Sequence, residues 1–246
     1  MRINLLKYKG GQFGVKINKQ YGSNKAIIPI GCDCHPAYVL YKTKLRDESL
    51  PFDWLDIEPL LAMQYVYEML RDSFRFFLAD LSKNEEGKVY SKKYPEALFY
   101  HFDDLQTNIQ FQNKIKLRIN RLVHKTKYRP CCFLHNTTSE VFKTEKSVVD
   151  YMISVKNFIT LLKPNDELLI YLRYDESLDE NKQQCELLLN SIKPLKQCTI
   201  VSYIRKKAEF GLWGDENKYK TLINDLGIKY TLKFPKIEFF KIQINN

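Results

Sequence analysis

A single-domain α/β (or α+β) fold, a central sheet flanked by helices, is what the 246-residue sequence predicts, on three observations. In the second half, apolar runs of strand length, ELLIYLRY (167–174) and QCTIVSYI (197–204), alternate with amphipathic stretches of helix length, 145–163 and 178–192. Near residue 25 a buried-strand run, KAIIPIG, passes directly into a helical stretch. The composition is 44% hydrophobic and 28% charged with nine Gly and nine Pro, ordinary for a globular core that needs neither disulfides nor metal.

The elements follow in order. Residues 1–24 carry scattered Gly and Lys with no sustained period, and are expected to be a loosely structured, variable lead-in to one domain over 25–246. KAIIPIG (25–31) is a buried strand ending at Gly31, and CDCHPAYVLYKTKLRD is a helix whose Pro36 suits the first turn. SLPFDWLD (49–56) is a turn broken by Pro51. A second helix opens near Pro59 and keeps one apolar face to about Leu81. GKVYS and ALFYHF are short β-like runs around a turn at 93–96. A helix in the middle segment places Phe111, Ile115, Ile119 and Leu122 on one face. CCFLH (131–135) is a strand, helix 216–226 stops at Gly227, and IKYTLKF is the last strand.

The formal charge is +10, from thirty Lys and nine Arg against 29 acids. Such an excess favours anionic partners, but Lys in place of Arg weakens the case for sequence-specific nucleic-acid reading, so nucleic acid is not the expected partner. Segment 105–139 has seven Lys or Arg and no acid, with Lys114, Arg118, Arg121 and Lys125 forming one helical stripe. Such stripes are commonly solvated faces; here the lack of any balancing acid nearby in sequence leaves the charge unpaired. No apolar run of about 18 residues exists, so no membrane span is expected. With no signal-like start and six cysteines, the expectation is a soluble, cytoplasmic protein with free thiols.

Cys34 is the sharpest chemical feature, because it sits where a buried strand ends and a helix begins. Unpaired N–H groups and the positive end of the helix dipole there favour a thiolate and suit an oxyanion. Free cysteines are also common core residues, and Cys32, nearer the strand, is expected to be one. Among four histidines, His35 is adjacent in sequence and is splayed away by a helix, whereas His101 ends the apolar run ALFY directly before FDD. A third group orienting the base is Asp53, Asp103 or Asp104, and spacing does not choose among them. Cys32, Cys34, His35, Cys131, Cys132 and His135 form a pool of soft ligands, but C-x-C and C-C are not zinc-type pairs, so no metal is expected. GGQFG fits neither phosphate-loop pattern.

IPIGCDC, an amphipathic helix, SLPFDWLD and ALFYHFDD, followed by KLRINRL, CCFLH and GLWGDENKY, together resemble a papain-like cysteine peptidase family of unknown function over about residues 25–235. The resemblance implies a papain-like Cys–His fold with Cys34 as nucleophile and His101 as base. Some papain-like relatives in glycan biosynthesis look like coenzyme A-dependent acetyltransferases that reuse such a site. Because the basic stripe suits the phosphates of coenzyme A, the first expectation is acyl transfer from acetyl-CoA to a sugar amine or hydroxyl. On that reading Lys114, Arg118, Arg121 and Lys125 hold the cofactor, and the partners are a small-molecule acyl donor and a sugar acceptor. The alternative is a papain-like cysteine peptidase, and third comes a nucleic-acid-binding protein without catalysis.

Overall fold

The computed structural model describes residues 2–8 and 11–243. Strand β1 (Arg2–Tyr8) and strand β2 (Gly11–Gly22) open the chain, followed by β3 (Ala26–Pro29) and helix α1 (His35–Lys42). Then come β4 (Asp56–Ile57), α2 (Ala62–Arg71), β5 (Leu81–Lys83), β6 (Val89–Ser91) and β7 (Tyr94–Phe99). The second half runs α3 (Ile109–Tyr128), β8 (Cys131–Thr138), α4 (Glu145–Ile159), β9 (Glu167–Tyr174), α5 (Lys182–Ile192) and β10 (Cys198–Ile204). A short α6 (Lys207–Phe210), α7 (Tyr219–Asp225) and β11 (Thr231–Gln243) finish it.

The α/β class holds. Strands β10-β9-β8-β3 form a four-stranded, all-parallel sheet in that spatial order. Parallel pairing needs crossover connections, which put helices on the faces and bury both of them. The side chains alternate accordingly. Phe133, Leu168, Ile170 and Leu172 join α2, α3, α4 and α5 in one core. Cys132, Leu134, Leu169 and Tyr171 face the other way, onto Val39 and Leu40 of α1 and Tyr219, Leu222 and Ile223 of α7. Every residue of β8 is buried.

A second sheet, β4-β7-β6-β5, is antiparallel and lies beside the β3 edge, tied there by Ile57 N–H donating to the Cys32 carbonyl at 2.7 Å. This tie positions everything that follows, because β7 delivers residues 100 and 101 at its end.

Three expectations are corrected. Residues 2–8 and 11–22 are not a loose lead-in but two strands of a third sheet, β1-β2-β11, in which β2 pairs antiparallel with the last strand. The partner lies at the far end of the sequence, so no local period announces it. Helix α2 ends at Arg71 rather than near Leu81, since Ser73 and Phe74 take left-handed backbone with φ of 52° and 62°. Phe74 and Phe77 still reach the core, which is why the apolar period runs on past the helix. The last strand begins at Thr231, later than the apolar run suggests, and continues to Gln243.

Candidate active site

The chain turns sharply between β3 and α1. A Cβ on Gly31 would lie 1.9 Å from Asn136 Oδ1 and 2.5 Å from the Pro36 ring, so only glycine fits where the two strands' ends converge. Three residues later Cys34 is the N-cap of α1, half-buried and with no side-chain capping bond; Pro36 follows in the first turn.

Asp33, beside it, is held from three sides. Its Oδ2 accepts from Arg173 Nη1 at 2.6 Å, and its Oδ1 accepts from the His35 backbone N–H at 2.9 Å and from Asn136 Nδ2 at 3.0 Å. Burial alone would raise this carboxyl; the Arg173 charge and these hydrogen bonds overcome it and hold it at about 2. The next pair along the sheet edge is Arg205, which grips both carboxylate oxygens of Asp175. Arg173 and Arg205 thus stand at or just past the carboxyl ends of β9 and β10, the usual place for a ligand crevice in an open α/β sheet.

A cleft of about 390 Å³ opens at this edge. Asp33, Cys34 and His35 line it from the β3–α1 junction, Trp54, Leu55 and Asp56 from the second sheet's first strand and the turn before it, and Tyr100 and His101 from the end of β7. Arg173, Arg205, Leu212 and Trp213 complete the wall. Cys34 and His101 therefore face one space from two different sheets. Tyr100 and His101 occupy the centre of a turn closed by Phe102 N–H donating to the Phe99 carbonyl at 3.0 Å. His101 is exposed, with its ring edge-to-face against Trp54 at 5.3 Å and Tyr100 at 5.4 Å.

The thiol does not carry the low pKa expected at a helix N-terminus. Burial, then the negative charge of Asp33, push Cys34 up to about 11; Asp56 adds to the rise, while its own backbone N–H and Arg173 oppose it. Physically, Asp33 already accepts the His35 N–H, and Pro36 has no N–H to offer, so the first turn of α1 has little left to stabilise a thiolate. Cys32 is fully buried, and its thiol is likewise raised by burial and Asp33.

His35 lines the cleft, with its ring buried on the Tyr171 side of the sheet. Its Nδ1 meets the Tyr171 hydroxyl at 2.7 Å and its Nε2 lies 3.3 Å from the Trp213 carbonyl; burial lowers it to about 4. The same carbonyl accepts from the Tyr219 hydroxyl at 2.6 Å, and Trp213 stacks on Tyr38 at 3.9 Å. These contacts hold the GLWGD loop against α1. His135 is buried with Nδ1 2.8 Å from the Ile30 carbonyl, and His124 lies exposed on α3 beside Tyr128.

The proposed third residues are not brought to the base. Asp53 is buried, ion-paired with Arg46 and accepting from the Leu50 N–H at 2.9 Å; it does not line the cleft. Its reach is indirect, since the Arg46 guanidinium lies 5.4 Å from the centre of the Trp54 ring. Asp103 is exposed and paired with Lys88 at 2.9 Å, and Asp104 accepts from Asn108 Nδ2 at 2.8 Å. The acids that do face the cleft are Asp33 and Asp56, the latter raised by burial and by Asp33.

Helix α3 forms as expected, but two cations of its stripe are paired with an acid and none of the four lines the cleft. Glu48, from the loop after α1, meets Arg121 at 3.2 Å and Lys125 at 2.9 Å. Arg118 lies over Phe102 and Lys114 over Phe111. The balancing acid comes from far back in the sequence, which an acid-free window cannot reveal. The cations that do line the cleft, Arg173 and Arg205, had one sequence signal each: a charge ending an otherwise apolar strand run. Both tryptophans of the chain also line it. Among the described residues, no group of three His, Cys, Asp or Glu is arranged to hold a metal ion. No described helix is long and apolar enough to cross a membrane.

Residues 25–161 match the family described as "Putative papain-like cysteine peptidase". The match spans β3 to the end of α4, and so includes Cys34, the PFDW turn and His101. No curated protein and no solved structure matches the chain.

Proposed function

The chain belongs to the family described as "Putative papain-like cysteine peptidase", and on that premise we propose that it is a thiol enzyme cleaving a carbonyl substrate, of the cysteine-peptidase kind. Cys34 is the nucleophile and His101 the general base. The observation that carries this reading is the shared cleft: two residues 67 positions apart, on different sheets, face the same space.

With its thiol pushed up to about 11, Cys34 is protonated at neutral pH. The chemistry is therefore concerted in the manner of a serine hydrolase. His101 takes the proton as Sγ attacks the carbonyl, then returns it to the leaving amine as the tetrahedral intermediate collapses. Water, activated by the same imidazole, releases the acyl group. Asp53 acts as a positioning residue through Arg46 and Trp54.

Acyl transfer from acetyl-CoA to a sugar amine or hydroxyl is the second reading, sharing the first half of this chemistry. One observation favours it: the cleft is walled by Trp54 and Trp213, and flat aromatic walls suit the C–H faces of a sugar ring. The α3 stripe, engaged by Glu48 and outside the cleft, no longer argues for coenzyme A.

Incubating the protein with a mixed peptide amide library, and separately with acetyl-CoA, then mapping acylated peptides by mass spectrometry, tests both. An acyl group on the Cys34 peptide, absent in Cys34→Ala, is expected. Acylation from acetyl-CoA with none from peptides promotes the second reading, and no Cys34 adduct from either overturns both.

A further inference from the structure

Among the described residues, each Lys or Arg that lines the cleft or lies over one of its aromatic rings has a carboxylate of its own. Arg173, in the wall, is paired with Asp33 at 2.6 Å, and Arg205 with Asp175. Arg46, against the Trp54 ring, is paired with Asp53. Lys88, 4.4 Å from the centre of the Tyr100 ring, is paired with Asp103 at 2.9 Å. One acid of the cleft is left over. Asp56 lines the cleft from β4 and is exposed, and among the described residues its carboxylate forms no ion pair and accepts no hydrogen bond. Its backbone is fixed by pairing with Leu98, and the next residue, Ile57, is tied to the Cys32 carbonyl, so this free carboxylate is held at the same edge as Cys34.

The arginines of the wall are poorly placed to draw an anion. Arg205 spends Nε and Nη2 on Asp175 and donates Nη1 to the Leu212 carbonyl at 3.2 Å, while Arg173 is held by Asp33. Asp56 is in the opposite position. Burial, then the charge of Asp33, raise it against the lowering influence of Arg173, the direction of a carboxylate short of positive charge. Trp54, Tyr100 and Trp213 line the same cleft, and the negative faces of such rings attract cations. A neutral group entering here desolvates Asp56 without compensation and an anion adds repulsion, whereas a cation gains a charge-assisted hydrogen bond. We propose that Asp56 is a specificity residue, through which the cleft selects a substrate carrying an ammonium or guanidinium group beside the carbonyl that is attacked. What is done to that substrate rests on the thiol chemistry proposed for Cys34; the selection of its charge does not.

Both tryptophans of the chain line the cleft, so intrinsic fluorescence reports its occupancy without any turnover. The full chain carrying Cys34→Ala is titrated with acetylated tripeptide amides that differ only in a central lysine, acetyl-lysine or glutamate. Trialanine amide with a free amino end separates an α-amino source of the cation from a side-chain one. One cationic probe, the lysine peptide or trialanine amide, is expected to bind about tenfold or more tightly than the acetyl-lysine peptide, the effect of one charge-assisted hydrogen bond. Adding Asp56→Asn is expected to erase that difference while keeping the far-UV circular dichroism of the parent. The comparison of probes needs no change at Asp56, and carries the test if the variant disturbs β4. Binding of neither cationic probe, binding indifferent to charge, or tighter binding of the glutamate peptide overturns the proposal. Selectivity that survives Asp56→Asn overturns it equally. Selective binding lost in Asp56→Asn, with no peptide cleaved by the wild type, removes the peptidase chemistry and leaves the cation site standing.

Discussion

The Trp54 indole and the His101 imidazole meet edge to face, ring centroids 5.3 Å apart and planes at 87°. A carboxylate is the familiar partner for a catalytic imidazole, and here an aromatic ring stands beside it instead. His101→Ala is expected to lower turnover by about 10²–10⁴-fold, the usual loss for a general base. Trp54→Ala, which frees the ring without removing it, is expected to cost less and to be partly rescued in Trp54→Phe. A His101→Ala enzyme turning over at the wild-type rate removes His101 from the reaction.

Cys34 and Cys32 are separated by one residue and by their surroundings. Cys34 lines the cleft, whereas Cys32 is 2% exposed. Iodoacetamide is expected to label Cys34 and not Cys32 under native conditions. Cys34→Ala is expected to abolish activity with the fold intact, and Cys32→Ala to lower stability by about 1 kcal/mol as a small core truncation. Equal labelling of both thiols contradicts the assignment.

Asp56 is the acid whose removal isolates an electrostatic effect at the thiol. It faces the cleft, its charge raises Cys34, and unlike Asp33 it anchors no arginine. Asp56→Asn is expected to lower the Cys34 pKa and so increase thiolate and alkylation rate at pH 7.5 by about two- to threefold. A slower rate in the variant is the outcome that refutes it.

Stability is expected to fall on mild acidification. Burial lowers both His35 and His135 from 6.5 to about 4. In the unfolded chain both take up protons below about pH 6.5, while the folded protein does not until about pH 4, so acid favours unfolding across that window. Each histidine contributes at most roughly 3 kcal/mol, at about 1.4 kcal/mol per unit. Asp33, held at about 2, adds a later loss as pH falls below its unfolded value of 3.8. Urea unfolding at pH 7, 6, 5 and 4.5 reads this directly. A midpoint unchanged from pH 7 to 4.5 rules the histidines out.

Gly31→Ala is expected to destabilise by about 1–3 kcal/mol, because the new methyl meets Asn136 and Pro36 at distances that force one of them to move. Asn136 also holds Asp33, so the same variant is expected to slow Cys34 labelling or change its pH profile. A variant as stable as wild type shows that the junction relaxes freely.

Much of this arrangement was legible in the sequence where the cause is local. The ELLIYLRY strand has the boundaries its composition suggests, and the basic helix forms around the expected apolar face, with Ile115 and Leu122 buried. The placement of Cys34 at a strand-to-helix junction also follows from neighbours in sequence. What was not legible depends on distant partners. Glu48 reaches α3 from the loop after α1, Arg173 holds Asp33 from the far end of β9, and β2 finds its partner in β11. Arg173 and Arg205 were visible only as charges closing apolar runs, and the cleft that uses them exists only once the strands align.

The register that pairs Gly22 with Thr231 and Gly11 with Gln243 has a consequence for how the molecule is made. The β1–β2 hairpin precedes β11 in the chain, so its remaining edge stays open until β11 has been translated. That closure joins residues 11–22 to residues 231–243, the kind of distant contact that forms late because a long loop must first be ordered. During that interval the hairpin is an unprotected template for another nascent chain, so domain swapping through β11 is the misassembly to which this topology is most exposed.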